Sequence, residues 1–200
     1  MKSIWQDTVI NLVQSLERED GSATDKLTVK MIDAKTHREI VAAGKEDQDV
    51  IYRALVKEGA GLTDKDVKQL AYPDYQSLIE AVELAYGRPA SFWFERLAEP
   101  DQKDGVADQF AQIDWFPLLL PIETADDVID RITLKFPTVA AVDVMDKQPE
   151  DKQNAFIKMQ CTGLSEAELD GISAPDDWEL QERVTDFLSQ TGSFFSAKKT

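Results

Sequence analysis

The sequence predicts a mainly helical α+β protein made of two repeated units, each a β-hairpin followed by about four short helices. Three observations predict it. One block of sequence recurs at constant spacing, paired β-prone runs precede each copy, and apolar residues at helical spacing close each copy. Gly61-Leu62-Thr63-Asp64-Lys65-Asp66-Val67 returns as Gly163-Leu164-Ser165-Glu166-Ala167-Glu168-Leu169, a shift of 102 positions from 61 to 163. At that shift Pro73 meets Pro175, Asp74 meets Asp176, Leu78 meets Leu180, Glu80 meets Glu182, Val82 meets Val184, and Ser91-Phe92-Trp93 meets Ser193-Phe194-Phe195. Matched Pro-Asp, Gly-Leu and Ser-Phe pairs in one register mark a duplication. Upstream, Leu27-Thr28-Val29-Lys30 faces Ile132-Thr133-Leu134-Lys135 at a shift of 105, so the first copy carries three extra residues, placed near Gly44 to Asp49. An insertion of that kind belongs in a loop.

The elements follow in order. Leu12 to Glu17 and Lys26 to Ile32 surround Arg18-Glu19-Asp20-Gly21-Ser22-Ala23, a turn whose glycine suits positive φ, and predict the first hairpin. Leu119 to Glu123 and Val128 to Lys135 flank the polar Thr124-Ala125-Asp126-Asp127 and predict the second. Helices are expected near Thr36 to Ala43 and Val139 to Asp146, then over Val50 to Lys57 and Asn154 to Gln160. Thr63 with Asp66 and Ser165 with Glu168 have capping-box spacing, so a short helix should start at each. Pro73 and Pro175 suit the first turn of the next helix, where no amide hydrogen is needed. Tyr75, Leu78, Ile79, Val82 and Tyr86 mark one helical face in the first copy, and Leu180, Val184, Phe187 and Leu188 mark one in the second.

Charge sets the boundaries. Residues 27–93 carry nine basic and eleven acidic groups, residues 132–195 five and twelve, and the join 94–131 three and ten. The run Glu99-Pro100-Asp101-Gln102-Lys103-Asp104-Gly105 has the composition of an exposed linker. The expected organisation is a first repeat unit over 1–94, an acidic linker over 95–117 and a second repeat unit over 118–200.

The 200 residues carry 38 acidic and 22 basic groups, a net charge of −16, which repels phosphate backbones and anionic lipid and argues against nucleic-acid and membrane partners. The longest strongly apolar stretch, Trp115 to Ile122, is too short to span a membrane, and the opening Met1-Lys2-Ser3-Ile4-Trp5 lacks the apolar core of a signal peptide. Cytoplasmic residence is expected. Cys161 is the only cysteine, and beside Thr162-Gly163 it reads as a small buried hydrophobe. His37 is the only histidine, and no nucleophile elbow accompanies it. Gly59-Ala60-Gly61 lacks the Lys-Ser/Thr end of a phosphate loop, and the acidic pairs Glu46-Asp47, Asp126-Asp127 and Asp176-Asp177 lack calcium-loop spacing. The sequence therefore assigns no catalytic residue, no metal and no cofactor, and reads as a non-enzyme.

Aromatic residues are the candidate partner-binding positions: Phe92, Trp93 and Phe94 after the last helix of the first copy, Phe194 and Phe195 after that of the second, and Trp115 and Phe116 in the join. Consecutive large apolar residues cannot all point inward from one regular element. Either they cover their own or the sister unit, or they form docking surfaces.

Pro121-Ile122-Glu123, Ile132-Thr133-Leu134-Lys135-Phe136-Pro137-Thr138, Thr162-Gly163-Leu164-Ser165-Glu166-Ala167-Glu168-Leu169, and Ala174-Pro175-Asp176 ahead of a final amphipathic helix together resemble the tail assembly chaperones of contractile-tailed phages related to Mu. The second copy carries the fuller match. The first departs from it at Met31-Ile32-Asp33, where the proline after the strand is missing. Proteins of that family are typically about half this length, consistent with ordinary domain size, so the chain resembles a tandem pair of them. The resemblance implies a non-enzymatic role in host cytoplasm: keeping the long helical tape measure protein, or another tail protein, soluble until tube subunits polymerise around it. It transfers no catalytic residue. Two linked sites would gain effective concentration on an elongated client, while acidic charge opposes self-association without forbidding it. The rival classes are an acidic nucleic-acid mimic that inhibits a DNA-binding protein, and an enzyme with an unrecognised site. A mimic would show carboxylates in rows that echo phosphates, whereas the acidic clusters here have no regular period.

Overall fold

The computed structural model describes residues 5–98, 103–124 and 128–198. The fold is α+β and mainly helical, with two repeated hairpin-plus-helices units. The chain divides into two compact units. Gln6–Arg88 forms the first; Trp5 and the described residues from Pro89 onward form the second. The division differs from the expected 1–94 boundary. Residues 95–117, read as linker, contain the end of α5 (Ala90–Leu97), α6 (Lys103–Ala111) and the start of β3 (Trp115–Glu123). The proline-containing run Glu99 to Gln102 lies outside the described residues. Composition alone misreads this stretch because α6 buries little beyond Val106 and half of Phe110, which keeps its sequence polar.

In the first unit β1 (Thr8–Glu17) pairs antiparallel with β2 (Ala23–Val29), Ile10 facing Leu27 and Glu17 facing Ala23. Gly21 at φ 84 turns the chain between them. In the second unit β3 pairs with β4 (Val128–Thr133), Phe116 facing Ile132 and Glu123 facing Val128. The equivalence is close. Both hairpins break register at the same place, between Asn11 and Leu16 in β1 and between Pro117 and Ile122 in β3. The second turn, partly outside the described residues at Ala125 to Asp127, is one residue shorter.

The helices repeat the same way. The first unit has α1 (Ala34–Gly44), α2 (Gln48–Ala60), α3 (Asp64–Gln69) and α4 (Tyr72–Tyr86), and the second has α7 (Val139–Met145), α8 (Glu150–Thr162), α9 (Glu166–Gly171), α10 (Ala174–Ser189) and α11 (Gly192–Lys198). From α2 and α8 onward the starts coincide at the 102 shift, including α5 with α11. The extra length of the first copy lies in α1, which has 11 residues against 7 in α7, whereas the connector of residues 45–47 is one residue shorter than residues 146–149, so the insertion lengthens a helix and not the loop expected near Gly44 to Asp49. Lys45 and Glu46 take positive φ, 48° and 71°, and the Asp47 carboxylate caps α2 through the amides of Asp49 and Val50. Both capping boxes are formed: Thr63 Oγ1 accepts from the Asp66 amide, and Ser165 Oγ from the Glu168 amide. Gly61 and Gly163 close α2 and α8 in the left-handed region, where a side chain would be strained.

A buried aspartate ties helix to hairpin in each unit. The Asp74 carboxylate, in the first turn of α4, accepts from the Val13 amide at 2.8 Å and from the Gln14 amide at 3.4 Å. Asp176, in the first turn of α10, accepts from the Leu119 amide at 3.0 Å and also from the Leu120 amide. These amides lie where the strand register shifts and cross-strand pairing is lost, so the carboxylates satisfy donors that the ladder abandons. The cores then form beneath: Leu78, Val82 and Tyr86 with Val29 and Val56 in the first unit, Leu180 and Val184 with Ile132 and Leu134 in the second. No described helix is long and apolar enough to cross a membrane.

Candidate functional site

The second unit places the candidate aromatics in two groups. Trp93 and Phe94 on α5 are buried, Trp93 edge-on to Trp5 at 4.8 Å and Phe94 tilted on Phe110 at 5.2 Å. Phe92 is half-buried, edge-on to Trp93. Phe116 on β3 is fully buried, and the Arg183 guanidinium sits over its ring at 4.9 Å; Trp115 is half-buried with Arg131 over its face. Trp93, Phe94 and Phe116 are therefore interior residues of this unit, and a partner cannot reach them without displacing its core.

The other group gathers around α11. Phe195 on α11 packs against Phe136 at 4.9 Å and Phe187 at 5.6 Å, and Phe136 lies on Phe187 at 4.5 Å. Phe194, half-buried, stands edge-on to Phe195. Phe195 is itself buried, but Phe136 is 49% exposed. Its position explains this: Lys135 donates its amide to the Cys161 carbonyl at 2.7 Å, ending strand-like pairing, and Pro137 then steers the chain away before α7.

Two hollows flank these rings. One, of about 340 Å³, is lined by Phe136, Phe187, Phe195, Gln190, Gly192 and Ser196. The other, of about 310 Å³, shares Phe187 and Phe195 but continues to Phe110, Glu179, Glu182, Arg183 and Asp186. Arg183 is occupied inside the unit, with Nε on Glu179 at 2.9 Å and the guanidinium donating to the carbonyls of Gln112 at 2.5 Å and Phe110 at 3.0 Å. Burial, then the nearby Glu179 and Asp186, raise the Glu182 carboxyl above its ordinary pKa, against a smaller lowering from Arg183. This rim is electrically negative.

Sequence reasoning missed Phe136 as a site residue and set Phe187 and Leu188 on one helical face with Leu180 and Val184, whereas the structure buries Leu180 and Val184, leaves Phe187 half-buried and exposes Leu188. The repeat held a usable signal. Phe136 and Phe187 correspond to Met31 and Ala85, so the second copy adds aromatics where the first has none. The first unit has a different hollow, of about 210 Å³, lined by Arg53, Val67, Leu70, Tyr72 and Tyr75.

Chemically, these sites can bind apolar and cationic groups. The Cys161 thiol is buried and burial pushes it up to about 11, so it is a poor nucleophile. Burial likewise pushes up the Tyr86 hydroxyl, which donates to the Lys30 carbonyl. Among the described residues no group of three His, Cys, Asp or Glu side chains is placed to hold a metal ion. No protein-family model, curated protein or solved structure matches the chain.

Proposed function

We propose that this chain is a non-enzymatic phage or prophage tail assembly chaperone that binds and solubilises the tape measure protein during tail morphogenesis. The observation that carries the reading is the Phe136–Phe187–Phe195 cluster, in which exposed Phe136 and half-buried Phe187 lie on buried Phe195 beside a hollow on an otherwise strongly acidic molecule. Apolar surface of this kind serves a protein partner, while net charge of −16 keeps the carrier dispersed. The duplicated unit and the motif resemblance supply the client: a long helical protein offers repeated amphipathic faces read at i, i+3, i+4 and i+7.

Coexpression tests it. Where a very long helical protein is encoded beside the chain, that tape measure candidate should remain in the soluble fraction and co-purify with the wild-type chain. Truncating an interface aromatic typically costs about 2 kcal/mol or more, so Phe136→Ser should reduce co-purification about thirtyfold with little change in melting. A tape measure candidate that stays insoluble whether or not the chain is present would defeat the reading. So would preferential recovery of a DNA-binding protein insensitive to Phe136→Ser, the result expected of a nucleic-acid mimic.

A further inference from the structure

The face of α10 that lines both hollows changes character along its length. Glu179, Glu182, Arg183, Asp186, Phe187 and Gln190 recur at three- and four-residue spacing, so they share one side of the helix. Its first part is carboxylate-rich and its last part aromatic, and the change falls within one turn, about 5.4 Å of rise. Arg183 pairs with Glu179 and donates to backbone carbonyls, so the negative charge of this face rests on Glu182 and Asp186. The surrounding repeat, residues 132–195, carries five basic against twelve acidic groups.

We propose that this face receives a basic amphipathic helix of a partner protein, its apolar anchor seated on the exposed Phe136 and the half-buried Phe187, which the buried Phe195 supports from beneath, and a lysine or arginine one turn away facing Glu182 and Asp186. The proposal deepens the chaperone reading and rests on it for the partner's identity, but not for its chemistry. Charge complementarity selects this occupant. A second copy of the chain would bring another net −16 to the same rim, and an acidic helix or a nucleic acid would be repelled. A neutral apolar helix would gain nothing from the carboxylate-rich half of the face.

The test uses the full-length chain and three synthetic helical peptides of one apolar pattern: one with lysine flanks, one with glutamate flanks, and a lysine-flanked peptide with its apolar residues scrambled. Fluorescence anisotropy should show the lysine peptide binding at least about tenfold more tightly than either other peptide, with affinity falling as salt screens the rim over a Debye length of about 8 Å at physiological strength. Phe136→Ser should weaken the lysine peptide about tenfold or more. Glu182→Lys should weaken it and strengthen the glutamate peptide, a reversal that a misfolded variant would not produce. Equal binding of the lysine and glutamate peptides, or indifference to both substitutions, would overturn the inference. So would a concentration-dependent dimer in sedimentation that Phe136→Ser abolishes, since the face would then belong to a second copy. Failures are separable. Co-purification of the tape measure protein that ignores Glu182→Lys sinks only this inference, whereas charge-selective peptide binding without tape measure recovery sinks only the chaperone reading.

Discussion

Asp176 stands in the first turn of α10 and holds that helix to the irregular stretch of β3 through the Leu119 amide. Its carboxyl is fully buried, and burial pushes it up to about 7 despite hydrogen bonds from Ser173, Leu119 and Leu120. In the unfolded chain the same group ionises near its ordinary value of 3.8. A raised folded pKa contributes stability that is fully present below the unfolded value and is lost as pH rises through about 7. Glu182, also raised, acts in the same sense. Asp20, Asp64, Asp66 and Glu168 are lowered, so their contribution is present above the ordinary carboxylate range and lost as pH falls through it. For Asp20 and Glu168 the cause is hydrogen bonding, for Asp64 the Lys57 ammonium, and for Asp66 bonds from Thr63 and Glu19 that outweigh its burial. Stability should therefore rise as pH is lowered from about 8 toward 5.5. Asp176→Asn, which keeps an oxygen for the amides and offers its NH2 to Ser173, should flatten that rise in urea unfolding. Parallel profiles for the two proteins would show that Asp176 is not the group that titrates.

Among the elements, the helices of the second half of each copy were legible because their signals are local: capping boxes, a first-turn proline and a closing glycine are each read within a few residues. The hairpins were legible from β-prone runs around polar turns, although β1 starts earlier than Leu12 and β2 ends before Ile32. The aspartate ties were not legible. They join residues about sixty positions apart and satisfy amides freed by a register shift that no local pattern announces. Nor was the sorting of aromatics, because burial of Trp93 depends on Trp5 and exposure of Phe136 depends on the chain leaving the sheet at Pro137. The same logic separates two glycines. A Cβ at Gly59 in α2 would collide with the Tyr86 hydroxyl, and Tyr86 is too tightly enclosed to yield, so Gly59→Ala should cost about 1–3 kcal/mol by overpacking. Gly171 ends α9 with open space around it, and Gly171→Ala should be neutral or stabilise by up to about 1 kcal/mol. Chemical denaturation compares them, and equal effects would mean that the packing of α2 against Tyr86 is looser than the structure has it.

At the scale of the whole molecule, the net charge of −16 acts on folding and on binding with opposite signs. Self-repulsion destabilises the compact state and is screened by salt. Among the described residues Lys35–Glu39 is exposed and Lys57–Asp64 is exposed at its carboxylate, so salt reaches both, while Lys158–Asp177, at 2.7 Å, and Arg183–Glu179, at 2.9 Å, are mostly buried and hardly screened. Screening of repulsion should prevail, so sodium chloride between about 0.02 and 0.3 M should raise the melting temperature by a few degrees, about 2–4 °C for each kcal/mol gained in a chain of this length. Chloride is the appropriate salt, because sulfate would stabilise by exclusion from the surface whatever the charge. Over the same range the lysine-flanked peptide should bind less tightly, since its attraction to Glu182 and Asp186 is screened while the apolar contact with Phe136 is not. Calorimetry and anisotropy on one set of samples would measure both. Opposed trends are the signature of a carrier whose charge is spent on keeping apart from its own copies and on drawing in a basic client; a melting temperature that falls with chloride would mean that attractive ion pairs, not repulsion, dominate this surface.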